Sequence, residues 1–303
     1  MKKYIRLRCA AKLNLSLDVT GKREDGYHTL DSIFQSVDVY DTIEVTVEDG
    51  EGITLACQQP GIPCDERNLA WKAAKAFLEA SGRQAKLHIA LTKGIPSGAG
   101  MGGGSADAAG VLFGLNELFG CGFSNERLRE IGVKLGADVP FILMGGTALA
   151  RGIGEKLKPL TALSGRVNLI IVKGEESVST PAAYRAIDAL EEPSHPDTAG
   201  VLWAVETMDT RLLAAKCANL FELAIDCEDV TRARRRLMES GALCAVMTGS
   251  GAAVFGIFPD DMPQETLEQT AAALRSEFSF AQAAHPTAAS LIIEYDRSEL
   301  AEE

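Results

Sequence analysis

Residues 96–106 read Pro96, Ser97, Gly98, Ala99, Gly100, Met101, Gly102, Gly103, Gly104, Ser105, Ala106, too rich in glycine for regular structure. A helical pattern follows at once, with Ala109, Leu112, Phe113 and Leu118 on one face and Gly120 as a stop. Backbone N–H groups in such a loop, unobstructed by side chains and running into a helix N-terminus, converge on an anion and make a phosphate cradle. The plain alternative is a glycine turn that lets a helix lie close against a strand. Ser105 fits either as the helix N-cap or as a hydroxyl beside phosphate or a phosphate-bound Mg²⁺, and the two roles are compatible. Two other phosphate motifs fail. The Gly98–Gly103 string matches GxGxxG, but antiparallel material precedes it and turn and helix follow it, which is not a dinucleotide-binding unit. Read as GxxxxGK[ST] from Gly98, the frame places Gly104 where lysine is required.

The elements that must hold this loop can be read from periodicity. Tyr4–Arg8, the Leu13, Leu15, Leu17 face and Thr42–Val47 alternate as antiparallel strands. Asn68–Ala80 has helical spacing and ends near Gly82, and Lys86–Leu91 returns to period two just before the loop. A helix over Glu126–Leu135 stops at Gly136, leaving Ala137–Pro140 as a tight connection with Asp138 just beyond the helix end. After strand-like Thr147–Ala150, a domain boundary is expected near 163, dividing the chain into residues 1–163 and 164–303. In the second half a helix opens at Thr180-Pro181, and further helices lie near 200–215, 230–240 and 264–275. Strands are expected at 167–172, on either side of the Gly249, Ser250, Gly251 turn, and at Ser290–Glu294 as the close of the second α+β layer.

Composition bounds the function. With 303 residues, two domains of about 150 fit, and a 46% hydrophobic share excludes disorder as the main state. A net charge of −12 argues against a protein whose task is to neutralise nucleic acid or an anionic membrane. Arg6, Arg8 and Lys12 interrupt any signal-peptide core and no long apolar run occurs, so a cytoplasmic chain is expected. Seven cysteines without a CxxC read as free thiols, and four scattered histidines give no metal site, so any metal arrives with a substrate.

The segment Pro96–Ala108 resembles the second motif of the GHMP kinase superfamily of small-molecule kinases. Together with Ala11–Leu15, Gly26–Leu30, Leu135–Pro140 and Thr248–Gly251, it is similar to the branch whose acceptor is a cytidine-diphosphate-linked methylerythritol. The resemblance implies a two-domain α+β fold. Its N-terminal ATP-binding half would be like the second domain of ribosomal protein S5, and its C-terminal half ferredoxin-like. It implies transfer of the γ-phosphoryl of ATP to the 2-hydroxyl of that acceptor in the non-mevalonate isoprenoid route. Mg²⁺ would come with ATP, and the enzyme would be a monomer or homodimer with no nucleic-acid or membrane partner.

By the same resemblance Asp138 is the catalytic base and Lys12 its charged neighbour, which suits the chemistry. A tertiary alcohol needs a carboxylate to take its proton, and an ammonium steadies the gathering phosphate charge. Without the motif, Asp138 reads as a capping carboxylate and Lys12 as an edge-strand gatekeeper. Asp107, in the helix after the loop, is read as answering the helix dipole. Asn68 and residues 96–106 are expected at the nucleotide. Tyr27 and Tyr184 are expected to sandwich the cytosine, and His28 to bond its polar edge. Asn14 is expected near the methylerythritol hydroxyls, with Gly249, Ser250 and Gly251 near the transferred phosphate. On residue type alone, Tyr27 and His28 are also a turn after Asp25-Gly26, Tyr184 a packed helix face, Asn68 a cap, and residues 249–251 a hairpin turn. Lys173–Glu176 and Asn219–Glu222 depart from the family pattern.

Overall fold

The computed structural model describes residues 2–297. Two long strands, β1 (Lys3–Lys22) and β2 (His28–Glu48), are followed by β3 (Gly52–Cys57), α1 (Leu69–Ser81), β4 (Lys86–Thr92) and α2 (Gly103–Phe119). Next come α3 (Asn125–Gly132), α4 (Val139–Met144), β5 (Thr147–Gly152) and β6 (Lys156–Pro159). The second half runs β7 (Asn168–Lys173), α5 (Thr180–Ile187), α6 (Thr198–Thr207), α7 (Thr210–Lys216) and β8 (Ala218–Asn219). After a 3-10 turn at Leu220–Leu223 it continues with α8 (Glu228–Glu239), β9 (Cys244–Met247), β10 (Val254–Phe258), α9 (Gln264–Leu274), β11 (Phe280–Ala284) and β12 (Leu291–Arg297).

Two sheets carry the fold. The larger runs β12-β1-β2-β4-β3, with β5 and β6 continuing from β2 and β8 added parallel to β1. Helix α2 lies on β1 against α1. Gly110 permits the approach, since a Cβ there would stand 2.4 Å from Cys9 Sγ. The smaller sheet, β11-β7-β10-β9, is antiparallel and is covered by α8 and α9. Burying these faces gives two cores, one around Ile43, Phe77, Leu112 and Phe141, the other around Phe221, Leu237, Phe258 and Leu274.

The halves interlock. The early strand segments fuse into one β1 that carries bulges at Ala10/Ala11, Asn14/Ser16 and Val19/Gly21. Bulges re-aim the residues around them. Leu13 and Leu15 enter the first core while Leu17 enters the second, so the three leucines do not share one face as expected. The last strand also differs from expectation: β12 pairs with β1 in the first sheet, antiparallel, rather than closing the second layer. The edge of the second sheet is filled instead by β11, which the sequence reading did not find. Val139-Pro140 opens the short helix α4 instead of forming a plain connection, because proline suits the first helical turn. Asn68 caps α1, accepting from Ala70 N–H at 2.9 Å, and Gly82 in the left-handed region ends that helix.

Candidate active site

The glycine loop is pinned from both halves through its carbonyls. Gly98 O and Ala99 O accept from Ala252 and Ala253 N–H, both at 3.2 Å, and Met101 O accepts from Lys12 N–H at 3.0 Å. The N–H groups of Gly100 to Ser105 donate to no protein acceptor among the described residues, which leaves a run of amides at the start of α2. Gly100 and Gly102 hold φ of 72° and 75°, and a Cβ on Gly100 would lie 2.2 Å from Thr248 O. The loop therefore rests directly on the backbone of the Thr248–Gly251 turn. Gly102 caps α2 without a side chain, so Ser105 is not the N-cap; its hydroxyl instead lines the cavity between the halves. Ala106 is sealed in the core, with its N–H bonded to Gly102 O at 2.8 Å.

That cavity holds about 660 Å³. It is lined by Lys12, Asp138 and Ser105, by Tyr27, His28 and Tyr184, and by Gly249 and Ser250. A second cavity of about 350 Å³ lies along the loop and is lined by Asn68, Lys93, Pro96, Ser97 and residues 98–104; Gly100 and Gly102 border both. Gly251 stays behind the wall, its N–H closing the turn on Thr248 O at 3.1 Å.

Lys12 Nζ stands 3.6 Å from Asp138 Oδ2 and donates at 2.7 Å to Asn14 Oδ1. It sits in an interior strand, its side chain 6% exposed, which excludes the gatekeeper reading. Phe34 places its ring 5.0 Å from the ammonium. Asp138 is 30% exposed and makes no capping bond at the start of α4, which excludes the capping reading. Asn14 lines the same cavity and also braces its wall. Its Oδ1 also accepts from Gly249 N–H at 3.0 Å, its Nδ2 donates to Ser32 at 2.9 Å, and its N–H donates to Thr248 Oγ1 at 2.9 Å. Asn219, in one of the departing segments, braces the same turn by donating to Met247 O and Gly249 O at 2.7 and 2.8 Å. Glu222 accepts from Met247 N–H at 2.6 Å. The other departing segment is buttressed away from the cavity, with Lys173 donating to Gly174 O and Glu176 O.

On the same cavity the His28 ring stacks on Tyr184, with centroids 4.6 Å apart and planes within 17°, and Phe221 meets Tyr184 edge-on at 5.0 Å. Burial first, then the charge of Asp138, holds the Tyr184 phenol up at about 12, so it remains protonated. Tyr27 stands at the rim, 60% exposed. The two tyrosines thus differ, one already packed and the other open.

A cluster unforeseen in the sequence lies beneath the loop. Lys93 Nζ is held between Asp41 and Asp107, at 2.6 Å from the latter, and all three side chains are buried. Asp41 Oδ1 also accepts from Gly94 and Ile95 N–H at 2.8 and 2.9 Å, fixing the chain as it enters the loop. Asp107 is therefore a buried ion-pair partner of Lys93 rather than a carboxylate answering the helix dipole. Burial, and then the Asp41 charge, push the Asp107 carboxyl up to about 7 against the pull of Lys93.

Residues 68–146 match the N-terminal domain of GHMP kinases and residues 201–277 the C-terminal domain. The 4-diphosphocytidyl-2-C-methyl-D-erythritol kinase of Clostridium novyi (strain NT) is 41% identical over 255 residues, covering 84% of this chain and 90% of that protein. The chain belongs to the 4-diphosphocytidyl-2-C-methyl-D-erythritol kinase family of GHMP kinases. A member from Alkaliphilus metalliredigens (strain QYMF) is 42% identical over 258 residues, covering 84% of this chain and 88% of its own. A crystal structure of a 4-(cytidine 5'-diphospho)-2C-methyl-D-erythritol kinase superposes with a TM-score of 0.77 at 33% identity, over 94% of this chain and 99% of that one. A homoserine kinase from Cytophaga hutchinsonii shares the fold, with a TM-score of 0.73 at 18% identity over 96% and 97% of the two chains. The two-domain α+β GHMP kinase fold and small-molecule kinase activity follow from the family. No helix among the described residues is long and apolar enough to cross a membrane.

Proposed function

We propose that the protein transfers the γ-phosphoryl group of ATP to the 2-hydroxyl of 4-diphosphocytidyl-2-C-methyl-D-erythritol, giving the 2-phosphate and ADP. The observation that carries this reading is Asp138: an uncapped, partly open carboxylate 3.6 Å from a buried lysine, on the cavity that borders the run of free amides. ATP lies along residues 96–105 with Asn68 and Lys93 near its nucleoside end, and the amides of the loop take the triphosphate. The acceptor fills the larger cavity, its alcohol at Asp138 and its cytosine among Tyr27, His28 and Tyr184.

Asp138 takes the hydroxyl proton as the new O–P bond forms and the bond from the γ-phosphorus to the bridging oxygen breaks, leaving ADP. Lys12, held by Asn14, faces both the carboxylate and the developing phosphate charge. Gly249 and Ser250 close the wall beside the transferred group, with Gly251 shaping their turn from behind. Ser105 offers a hard hydroxyl oxygen on the cavity, which would suit a Mg²⁺ arriving with ATP and taking its other ligands from phosphates and water. When bound, the ion neutralises charge on the phosphates. We place the division of the ATP-binding and C-terminal halves near residue 163, with β12 returned to the first, and infer a cytoplasmic enzyme acting as a monomer or homodimer.

The test is a panel. With ATP and Mg²⁺, the cytidylyl methylerythritol should be phosphorylated while homoserine and mevalonate are not. Phosphorylation of either smaller alcohol in preference would overturn the assignment, and ATP binding without any product would make the protein a sensor.

A further inference from the structure

The proposed base pocket contains a carboxylate that no part of the phosphoryl-transfer scheme uses. Helix α5 places Tyr184 and Asp188 four residues apart, so both project to the same side. The N–H of Asp188 closes the helix on Tyr184 O at 3.0 Å, and Asp188 Oδ1 lies 2.7 Å from His28 Nε2. The other oxygen, Oδ2, receives Lys22 Nζ, and Lys22 is the cross-strand neighbour of His28 between β1 and β2. Two segments distant in sequence, the β1–β2 hairpin and α5, thus fix one imidazole. Its side chain is 8% exposed, and Tyr184 covers one face.

The hydrogen bond from His28, followed by that from Lys22, holds the Asp188 carboxyl below the usual carboxylate range. An ionised carboxylate only accepts, so the ring nitrogen facing it must carry the proton. Among the described residues Nε2 is the ring nitrogen with a hydrogen-bond partner, and His28 lines the cavity; Nδ1 is the polar atom left for a ligand.

We propose that Asp188 is a specificity-determining positioning residue, fixing the His28 ring with a proton on Nε2 so that Nδ1 faces the cavity and accepts from the exocyclic amine of a cytosine. The idea rests on the acceptor proposed above and adds how its base is chosen. A 4-amino pyrimidine offers a donor to Nδ1. A 4-keto pyrimidine such as uracil sets an oxygen lone pair against a nitrogen lone pair, a mismatch that leaves a desolvated acceptor without a partner. Lys22 contributes by keeping Asp188 ionised and does not itself touch the base edge.

Two measurements decide it. Steady-state phosphorylation of the cytidine-diphosphate acceptor is compared with that of its uridine counterpart, in the natural protein and in Asp188→Ala. The ratio of the two kcat/KM values should fall by about tenfold or more in the variant, the scale of one hydrogen bond to a fixed acceptor, with the loss in KM for the cytidine acceptor and none in KM for ATP. An equal loss on both acceptors would make Asp188 a brace for the fold and overturn the proposal. Nitrogen-15 spectra of the four imidazoles in the full-length natural protein at mildly alkaline pH read the tautomer without a substrate and without a variant. His28 should show a protonated Nε2 and a bare Nδ1, and the opposite tautomer would overturn the proposal. If the natural protein phosphorylates neither acceptor, the function proposed above falls and this inference with it. If it phosphorylates cytidine and uridine acceptors equally well, the function stands and this inference alone falls.

Discussion

Two lysine–carboxylate groupings flank the glycine loop, and they are built to opposite ends. Beneath it, Lys93 is clamped between Asp41 and Asp107 with all three side chains out of water. Beside the cavity, Lys12 hydrogen-bonds an amide, Asn14, and stands off from its single carboxylate, Asp138, which is partly open. The clamped ammonium is bonded directly to both of its carboxylates, whereas a carboxylate that is near a cation but not bonded to it can still accept a proton. The contrast teaches that the same residue types serve as structure or as chemistry according to how directly cation and carboxylate are bonded and how far they are kept from water.

The contrast can be broken by substitution. Lys93→Met removes the cation from between two buried carboxylates and should lower stability by about 3–5 kcal/mol, more at pH 8 than at pH 5, as read by denaturant unfolding at the two pH values. A loss below 1 kcal/mol would mean that the clamp is not structural. Asp138→Asn should leave stability nearly as it is and lower kcat by about a hundredfold or more, while ATP affinity by titration calorimetry stays within about threefold; undiminished turnover would remove Asp138 from the chemistry. Asn14→Ala strips acceptors from Lys12 and Gly249 and should cost about 1–3 kcal/mol of stability. It should also lower kcat, because Lys12 is free to close on Asp138. An increase in kcat would show that Asn14 restrains the site rather than orders it.

The smallest effect sharpens the clamp itself. Burial holds the Asp107 carboxyl up at about 7, above the ordinary carboxylate range, so the native state binds this proton more tightly than the unfolded chain. Its contribution to stability is greatest below pH 4 and declines as pH rises to 7. Asp107→Asn should flatten that part of the stability profile, and an unchanged slope between pH 4 and 7 would mean that another group produces it.

Legibility in the sequence followed how local each feature is. The glycine loop, the Asn68 cap and the Gly82 stop are written in consecutive residues, each setting its own backbone. Lys12 and Asp138 were legible because each lies in a short family motif, although their 3.6 Å approach depends on the bulged course of β1. Asp41 gave no warning, since a carboxylate at one end of an alternating stretch reads as solvated, and its partners Lys93, Gly94 and Ile95 lie some 50 residues on, at the exit of β4. Asp107 did carry a sign in the small apolar neighbours Ala106, Ala108 and Ala109, a setting where an unpaired charge is costly. The destination of β12 was hidden because period-two alternation marks a strand and is silent about its neighbour.

That strand has a consequence for how the chain is made. Cys9 lies opposite Leu291, so one edge of β1 gains its neighbour only after some 280 further residues have left the ribosome. At about 5–20 residues per second the delay is roughly 15–60 s. Throughout it the first-synthesised strand has β2 on one side and an open row of amides and carbonyls on the other. An uncovered strand edge of this kind is a template for pairing with another chain until β12 covers it.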